Sequence, residues 1–230
     1  MRTWFKDLLD FVYPDTCSGC NNPILSGEAS LCISCQVDLP KALIKDFQEN
    51  SVHRIFTGRC YFQRAAAMYV FQKGGILQNT LHEIKYRGNK EAAHLLGSFT
   101  GQYFQRHGFL EKIDCIIPIP LHPKKLKERG YNQSVELALG IKQAVPDLEV
   151  SETLLKRDVH NTSQTKKSRF NRWLNVEHIF ALGENTCEFE GKHVLLFDDV
   201  VTTGATIEAA YNKLIQVRGI KVSFLALAVA

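Results

Sequence analysis

The stretch HVLLFDDVVTTGAT, residues 193–206, constrains the chain more than any other. Its opening apolar run has no polar alternation, which suits a strand buried on both faces of a parallel sheet. Two adjacent carboxylates, Asp198 and Asp199, then close the run. Side by side they repel each other, and burying either one unpaired is costly. In open α/β sheets ligands sit at the carboxyl ends of strands. Here that end continues as Val200, Val201, Thr202, Thr203, Gly204, Ala205 and Thr206. Gly204 permits close backbone approach, and the amides of a following helix can point at an anion. The threonine hydroxyls add donors, while the two aspartates can accept from the hydroxyls of a sugar diol. The run is therefore shaped for a ribose 5-phosphate, with phosphate in the threonine-glycine cup and ribose on the carboxylates. An acidic helix cap or a metal-binding acidic pair would account for the aspartates but not for the TTG that follows. No G-x-x-x-x-G-K-[ST] loop occurs in the chain.

The rest of the pattern extends the sheet. Residues 65–71, 114–120, 149–157, 179–182 and 221–230 read as strands. Helical apolar spacing occupies 76–86 (Leu77, Leu81, Ile84), 90–106 (Ala92, Leu95, Leu96, Phe99) and 132–145 (Val135, Leu137, Leu139, Ile141). A last helix over 206–219 stops at Gly219. Alternating strands and helices predict an α/β fold: a parallel sheet flanked by helices. Its 230 residues, 45% hydrophobic, suffice for one such domain and a small appendage. No internal repeat or low-complexity tract interrupts it.

The appendage is predicted from Cys17, Cys20, Cys32 and Cys35, spaced C-x2-C-x11-C-x2-C. Each C-x-x-C aims two thiolates at one point, and two such turns complete a tetrahedral four-thiolate zinc site. With all four positions filled by protein, that zinc is structural rather than catalytic. The segment between is too short to build an apolar core, so metal would hold it together. The expected division is 1–59, a short amphipathic helix with the zinc module, and 60–230, the α/β domain. Lys6, Asp7 and Asp10 break the first apolar stretch, so it lacks the core of a signal peptide. No run approaches the roughly 18 residues that span a bilayer. Seven cysteines, an odd number, suit a reducing compartment, and the expected location is the cytoplasm.

Several segments together carry a family resemblance. Residues 198–204, DDVVTTG, resemble the core signature of type I phosphoribosyltransferases, which bind phosphoribosyl diphosphate. The four-cysteine module, IKYRGNK (84–90), IPIPLHPKKLKERGYNQS (117–134), residues 154–180 and HVLLFDDVVTTGAT occur in the order found in the ComF family of competence-associated, GntX-like proteins. The resemblance spans nearly the whole chain. It implies a type I phosphoribosyltransferase-like sheet in which Asp198 and Asp199 are the catalytic carboxylates and residues 200–206 bind substrate. It also implies a diphosphate-holding loop, here Pro120 to Lys125, with His122, Lys124 and Lys125 as donors and Arg129 just beyond. A lysine-rich loop suits a diphosphate, although the same residues also read as a solvated helix start. Asn132 and Gln133 either cap the next helix or reach into the site. Lys85, Tyr86 and Arg87 either line the site or end a helix at Gly88. A mobile hood loop matches 158–171, with Gln164, Thr165 and Lys166 at its centre; the same composition fits a surface loop that binds nothing.

Two functions of different class follow. One is magnesium-dependent ribosyl transfer from phosphoribosyl diphosphate to an unidentified nucleophile, with magnesium offsetting the leaving charge. The other is a non-catalytic protein of DNA uptake that binds single-stranded DNA. Between His122 and Arg172 eleven Lys/Arg stand against six Asp/Glu, with Tyr131, Phe170 and Trp173 available for stacking. A weaker reading makes the zinc module a docking surface for DNA-import machinery. The net charge of +4 does not by itself announce a nucleic-acid binder.

Overall fold

Continuous apolar runs become the middle of a five-stranded parallel sheet. The computed structural model describes residues 14–24, 29–42, 44, 46–157 and 179–230. Strands β1 (Ala65–Val70), β2 (Cys115–Pro118), β3 (Glu149–Val150), β6 (His193–Val201) and β7 (Lys221–Val229) lie in the order β1-β7-β6-β2-β3. All four pairings are parallel. The longest pair, β6 with β7, runs in register from His193 opposite Lys221 to Val201 opposite Val229. Strands β4 (Leu155–Arg157) and β5 (Phe180–Leu182) form a separate antiparallel ribbon.

Alternation along each strand feeds two cores. On one face Leu195, Phe197, Leu225 and Leu227 pack with helices α3 (Ile76–Tyr86), α4 (Lys90–Arg106) and α6 (Gln133–Ala144). On the other, Val194, Leu196, Phe224 and Ala226 pack with α2 (Ser51–Phe56) and α7 (Ala205–Leu214). Helices α4 and α6 meet backbone to backbone. A Cβ at Gly97 would stand 2.1 Å from the Leu137 carbonyl oxygen, and one at Gly140 2.3 Å from that of His94. The remaining described helices are α1 (Ile33–Asp38) and α5 (Pro123–Arg129).

The four-cysteine segment sits on α3 and the α3–α4 turn. Cys17, Leu31 and Cys35 join the core that holds Leu77 and Leu81. Asn79 Nδ2 donates to the Gly19 carbonyl at 2.8 Å, and Asn89 Nδ2 donates to Ser18 Oγ at 3.0 Å.

Five local expectations change. Residues 149–157 are not one strand: β3 joins the main sheet, and β4 leaves it to pair with β5. The apolar run at the site does not stop at Phe197; β6 carries both aspartates and ends at Val201. The buried face of α4 is built on small residues (Ala92, Ala93, Leu96, Gly97, Thr100, Gly101, Phe104), so Leu95 and Phe99 fall to its margin. Leu139 is exposed on α6, and α7 ends at Leu214, short of Gly219. The helix expected near the amino terminus and the hood residues Gln164, Thr165 and Lys166 lie outside the described residues.

Candidate anion-binding site and metal centre

Placing the aspartates inside a strand turns them apart without removing their mutual repulsion. Successive strand residues point to opposite faces, and the two carboxylates find different partners. Asp199 is buried. Its Oδ1 accepts from the Val200 amide at 2.7 Å. Its Oδ2 accepts from Lys85 Nζ at 2.6 Å and from Gln133 Nε2 at 3.2 Å. Asp198 is half-buried. Its Oδ1 accepts from the Asp199 amide at 2.9 Å and from Ser134 Oγ at 3.3 Å. Among the described residues nothing donates to its Oδ2. Burial and the adjacent Asp199 charge push the Asp198 carboxyl up to about 8.

Directly after β6 the chain turns through Thr202 and Thr203 to Gly204, whose φ of 76° is left-handed. That conformation suits glycine, and packing adds a second reason. A Cβ there would meet Phe56 and Ile55 side-chain atoms at 2.6 and 2.7 Å. Gly204 opens α7, and no side chain caps that helix. Its first amide, that of Ala205, has only a long contact of 3.5 Å to Thr203 Oγ1, and the helix start borders a cleft of about 40 Å³ lined by Asp198 and residues 200–207. Arg59 fixes the turn from behind: Nη1 donates to the carbonyls of Thr203 (2.8 Å) and Ile55 (3.0 Å), and Nη2 pairs with Glu208 of α7.

The basic segment behaves differently from the turn. Pro123 begins α5, so Lys124 and Lys125 lie on a helix rather than in a loop, and no residue of that helix is buried. His122 is its N-cap, with Nδ1 accepting from the Lys124 amide at 3.1 Å. Arg129 reaches the site indirectly, donating to Gln133 Oε1 at 2.8 Å and lying 5.3 Å from the Tyr86 ring centre. The alternatives for Asn132 and Gln133 are divided between them. Asn132 Oδ1 caps α6 through the Ser134 amide while its Nδ2 donates to the Ile119 carbonyl; Gln133 reaches Asp199. Beside the helix starts, Pro118, Pro120, Leu121, Asn132, Lys156 and Arg157 line a cavity of about 410 Å³. Burial lowers the Arg157 guanidinium from its usual value, and the Asp198 charge opposes that shift.

Of the expected donors, Lys85 meets the doublet, while Tyr86 and Arg87 stay exposed on the outer side. Arg59 and Ser134 were not singled out from sequence. Ser134 follows a helix cap on a neighbouring element, a placement that only the packing of α6 on β6 reveals. Arg59 lies 144 residues from Thr203, and nothing local signals that contact.

The second centre is the cysteine cluster. The sulfur atoms of Cys17, Cys20, Cys32 and Cys35 all lie within 4.8 Å of one another. Cys20 and Cys32 Sγ are 3.8 Å apart. A zinc bound by four thiolates at about 2.3 Å needs sulfurs about 3.8 Å apart, so the donor set fits that metal. The Cys17 sulfur accepts from the amides of Gly19 (3.4 Å) and Cys32 (3.3 Å). Burial works against its thiolate, but these backbone donors outweigh it and bring Cys17 down to about 6. Burial instead pushes Cys35 up. No described helix is long and apolar enough to cross a membrane.

No protein-family model matches the chain. Among curated proteins it is 31% identical to competence protein ComFC of Bacillus subtilis (strain 168) over 147 residues, 64% of this chain and 57% of that protein. It is 32% identical to competence protein F of Haemophilus influenzae over 108 residues, 47% of this chain and 46% of that one. A longer match, 205 residues at 25% identity, links it to the DNA utilization protein YhgH of Escherichia coli O157:H7, covering 84% and 88%. The matches thus span about half the length of the first two relatives. Among solved structures it resembles the glutamine phosphoribosylpyrophosphate amidotransferase of B. subtilis (TM-score 0.40, 16% identity, 62% of this chain and 30% of that). It also resembles the adenine phosphoribosyltransferase of Leishmania donovani (TM-score 0.38, 10% identity, 83% and 86%). Likeness at that level adds nothing to the strand order above. The curated matches do add something, because their names agree with the ordered cysteine, basic and DDVVTTG segments: the chain resembles the ComF family of competence-associated proteins.

Proposed function

We propose that this protein binds phosphoribosyl diphosphate or ribose 5-phosphate at the carboxyl end of β6 and transfers the ribosyl group to a nucleophile. The observation that carries this reading is the adjacency of an α7 N-terminus behind left-handed Gly204, held only by a long contact from the Ala205 amide to Thr203 Oγ1, and a half-buried Asp198 with its Oδ2 open. Phosphate takes the amides of the turn and the helix start, with Thr202, Thr203 and Thr206 adding hydroxyl donors. Asp198 faces the ribose hydroxyls, and Asp199 holds the strand end in place. Transfer passes through oxocarbenium character at the ribose C1 carbon as diphosphate leaves, so the protein's work is positioning and electrostatics. Lys124 and Lys125, exposed on α5, would supply charge to the diphosphate, and magnesium would accompany that leaving group. The zinc-bearing unit 1–59 supports the sheet unit 60–230 through the Asn79 and Asn89 contacts. Calorimetric titration with phosphoribosyl diphosphate tests the assignment. Asp198→Asn and Thr203→Val should each weaken binding with the fold intact, and unchanged affinity in both would remove the site.

A second reading is favoured by the names of the relatives, competence protein and DNA utilization protein. Helix α5 buries no side chain and presents Lys124, Lys125 and Lys127 to solvent. It supplies the charge that a single strand's phosphates need. Fluorescence anisotropy with an oligothymidine across a salt series separates the readings. A steep salt slope that flattens in a Lys124→Ala, Lys125→Ala, Lys127→Ala variant supports nucleic-acid binding by this helix.

A further inference from the structure

We propose that Lys85 takes the place of a divalent cation at the acidic doublet, so that this chain grips a pentose 5-phosphate with no metal ion on its aspartates. The inference rests on the ribose-phosphate reading of the site and adds to it the source of the counter-charge.

A hard cation such as magnesium binds through oxygens left free to ligate it. Asp199 has both oxygens already engaged. Oδ1 is held by the Val200 amide, and Oδ2 by the Lys85 ammonium at 2.6 Å together with Gln133. The pair is largely withdrawn from water, with side-chain exposures of 22% for Lys85 and 10% for Asp199. Three contacts hold that arrangement. Lys85 lies in the last turn of α3, where the helix dipole favours a cation. The carbonyl of its neighbour Ile84 accepts from the Tyr131 hydroxyl, which ties the end of α3 to the segment leading into α6. Arg129 donates to Gln133 Oε1, which turns the Gln133 amide nitrogen toward Asp199.

The charge sum points the same way. Asp199 and Lys85 cancel. Burial and the charge of its neighbour favour the protonated form of Asp198. A doublet with little net negative charge holds a divalent ion weakly against the cost of dehydrating it, and it repels the phosphate bound in the next turn less. Any metal needed for phosphoribosyl diphosphate then belongs to the diphosphate.

The test is calorimetric titration of the zinc-loaded protein with ribose 5-phosphate, in magnesium-free solution and in millimolar magnesium. Wild type should bind equally in both. Lys85→Met should lose at least about tenfold in affinity without magnesium and recover part of it with magnesium, while Lys85→Arg keeps metal independence. Wild type that binds only with magnesium overturns the role of Lys85 and leaves the site reading standing. Wild type that binds in neither condition overturns both. A second measurement does not depend on the sugar: manganese titration followed by electron paramagnetic resonance. Lys85→Met should gain a manganese site that wild type lacks and that Lys85→Met/Asp199→Asn loses again. A manganese site already present in wild type and removed by Asp199→Asn also overturns the proposal.

Discussion

The four-cysteine cluster and the acidic doublet both crowd potential anions together, and the chain treats them in opposite ways. Among the described residues the sulfurs accept from backbone amides and from no side-chain cation, and Cys17 is brought down to about 6. One thiolate is thus favoured, while burial holds Cys35 protonated until a positive charge comes from outside. At the doublet the chain brings its own lysine to Asp199, and Asp198 is pushed up to about 8. Those carboxylates are neutralised from within. A cluster short of positive charge reads as a metal site; one already balanced reads as a site for a polar ligand.

The largest expected effect breaks the cysteine side of that contrast. Zinc should be present at one ion per chain, and Cys17→Ser or Cys32→Ser should abolish it. Structural zinc in small modules contributes on the order of 10 kcal/mol, far more than the few apolar contacts of the segment can replace. Metal analysis of freshly reduced protein, with limited proteolysis around residues 14–40, checks both points. Protein without metal whose segment stays resistant would mean that packing of Leu31 and Cys35 on α3 suffices alone.

Next in size is Gly204→Val, which strikes the doublet's own support. The residue would have to hold a left-handed backbone and force its side chain against Phe56 and Ile55. Strain and overpacking together should cost about 2–4 kcal/mol in urea unfolding and abolish phosphate binding. A variant of full stability that still binds would show that α7 starts in another way.

A smaller effect separates the two clusters by pH. A carboxyl raised from 3.8 to about 8 holds its proton more tightly in the fold than in the unfolded chain. The stability it contributes is complete below about 4 and is lost as pH rises toward about 8. Asp198→Asn keeps a neutral group throughout. Relative to wild type, its melting temperature should therefore climb between pH 4 and 8. A difference that stays flat across that window would mean Asp198 is ionised in the fold, and the internal balance of the doublet would fail.

Much of this was legible in the sequence because it rested on local chemistry. Apolar runs without alternation gave the parallel strands, and the paired C-x-x-C spacing brought four sulfurs together. DDVVTTG marked the turn into the last helix, although the aspartates lie within β6 rather than at its end. What was not legible depended on distant neighbours. Periodicity alone put Leu95 and Phe99 on the buried face of α4, whereas close approach to α6 demanded the glycine-rich face. One apolar stretch at 149–157 looks the same whether it stays in one sheet or splits between two, and only the available edges decide. Lysines after a buried strand suggested a loop, but Pro123, well suited to the first position of a helix, turned them into α5. Lys85 was weighed between a helix end and a site residue; it is both, because the last turn of α3 stops beside Asp199.

The smallest effect sharpens the view that the doublet's surroundings are built from side chains rather than from a metal. Arg59 lies in the segment that links the cysteine unit to β1, yet it bonds the Thr203 carbonyl and Glu208 on the two sides of Gly204. Both partners of the ion pair are about one-third exposed, so the pair itself contributes little. The bond to Thr203 matters more, because it fixes the direction of the turn that presents amides to phosphate. Arg59→Ala should cost about 1 kcal/mol of stability. It should also weaken ribose 5-phosphate binding by a few-fold, about 0.5–1 kcal/mol, with Arg59→Lys recovering stability but not affinity. Equal recovery of both by lysine would reduce the residue to a surface charge. Recovery of stability alone would show that the linking segment shapes the cup and that the two units share one site.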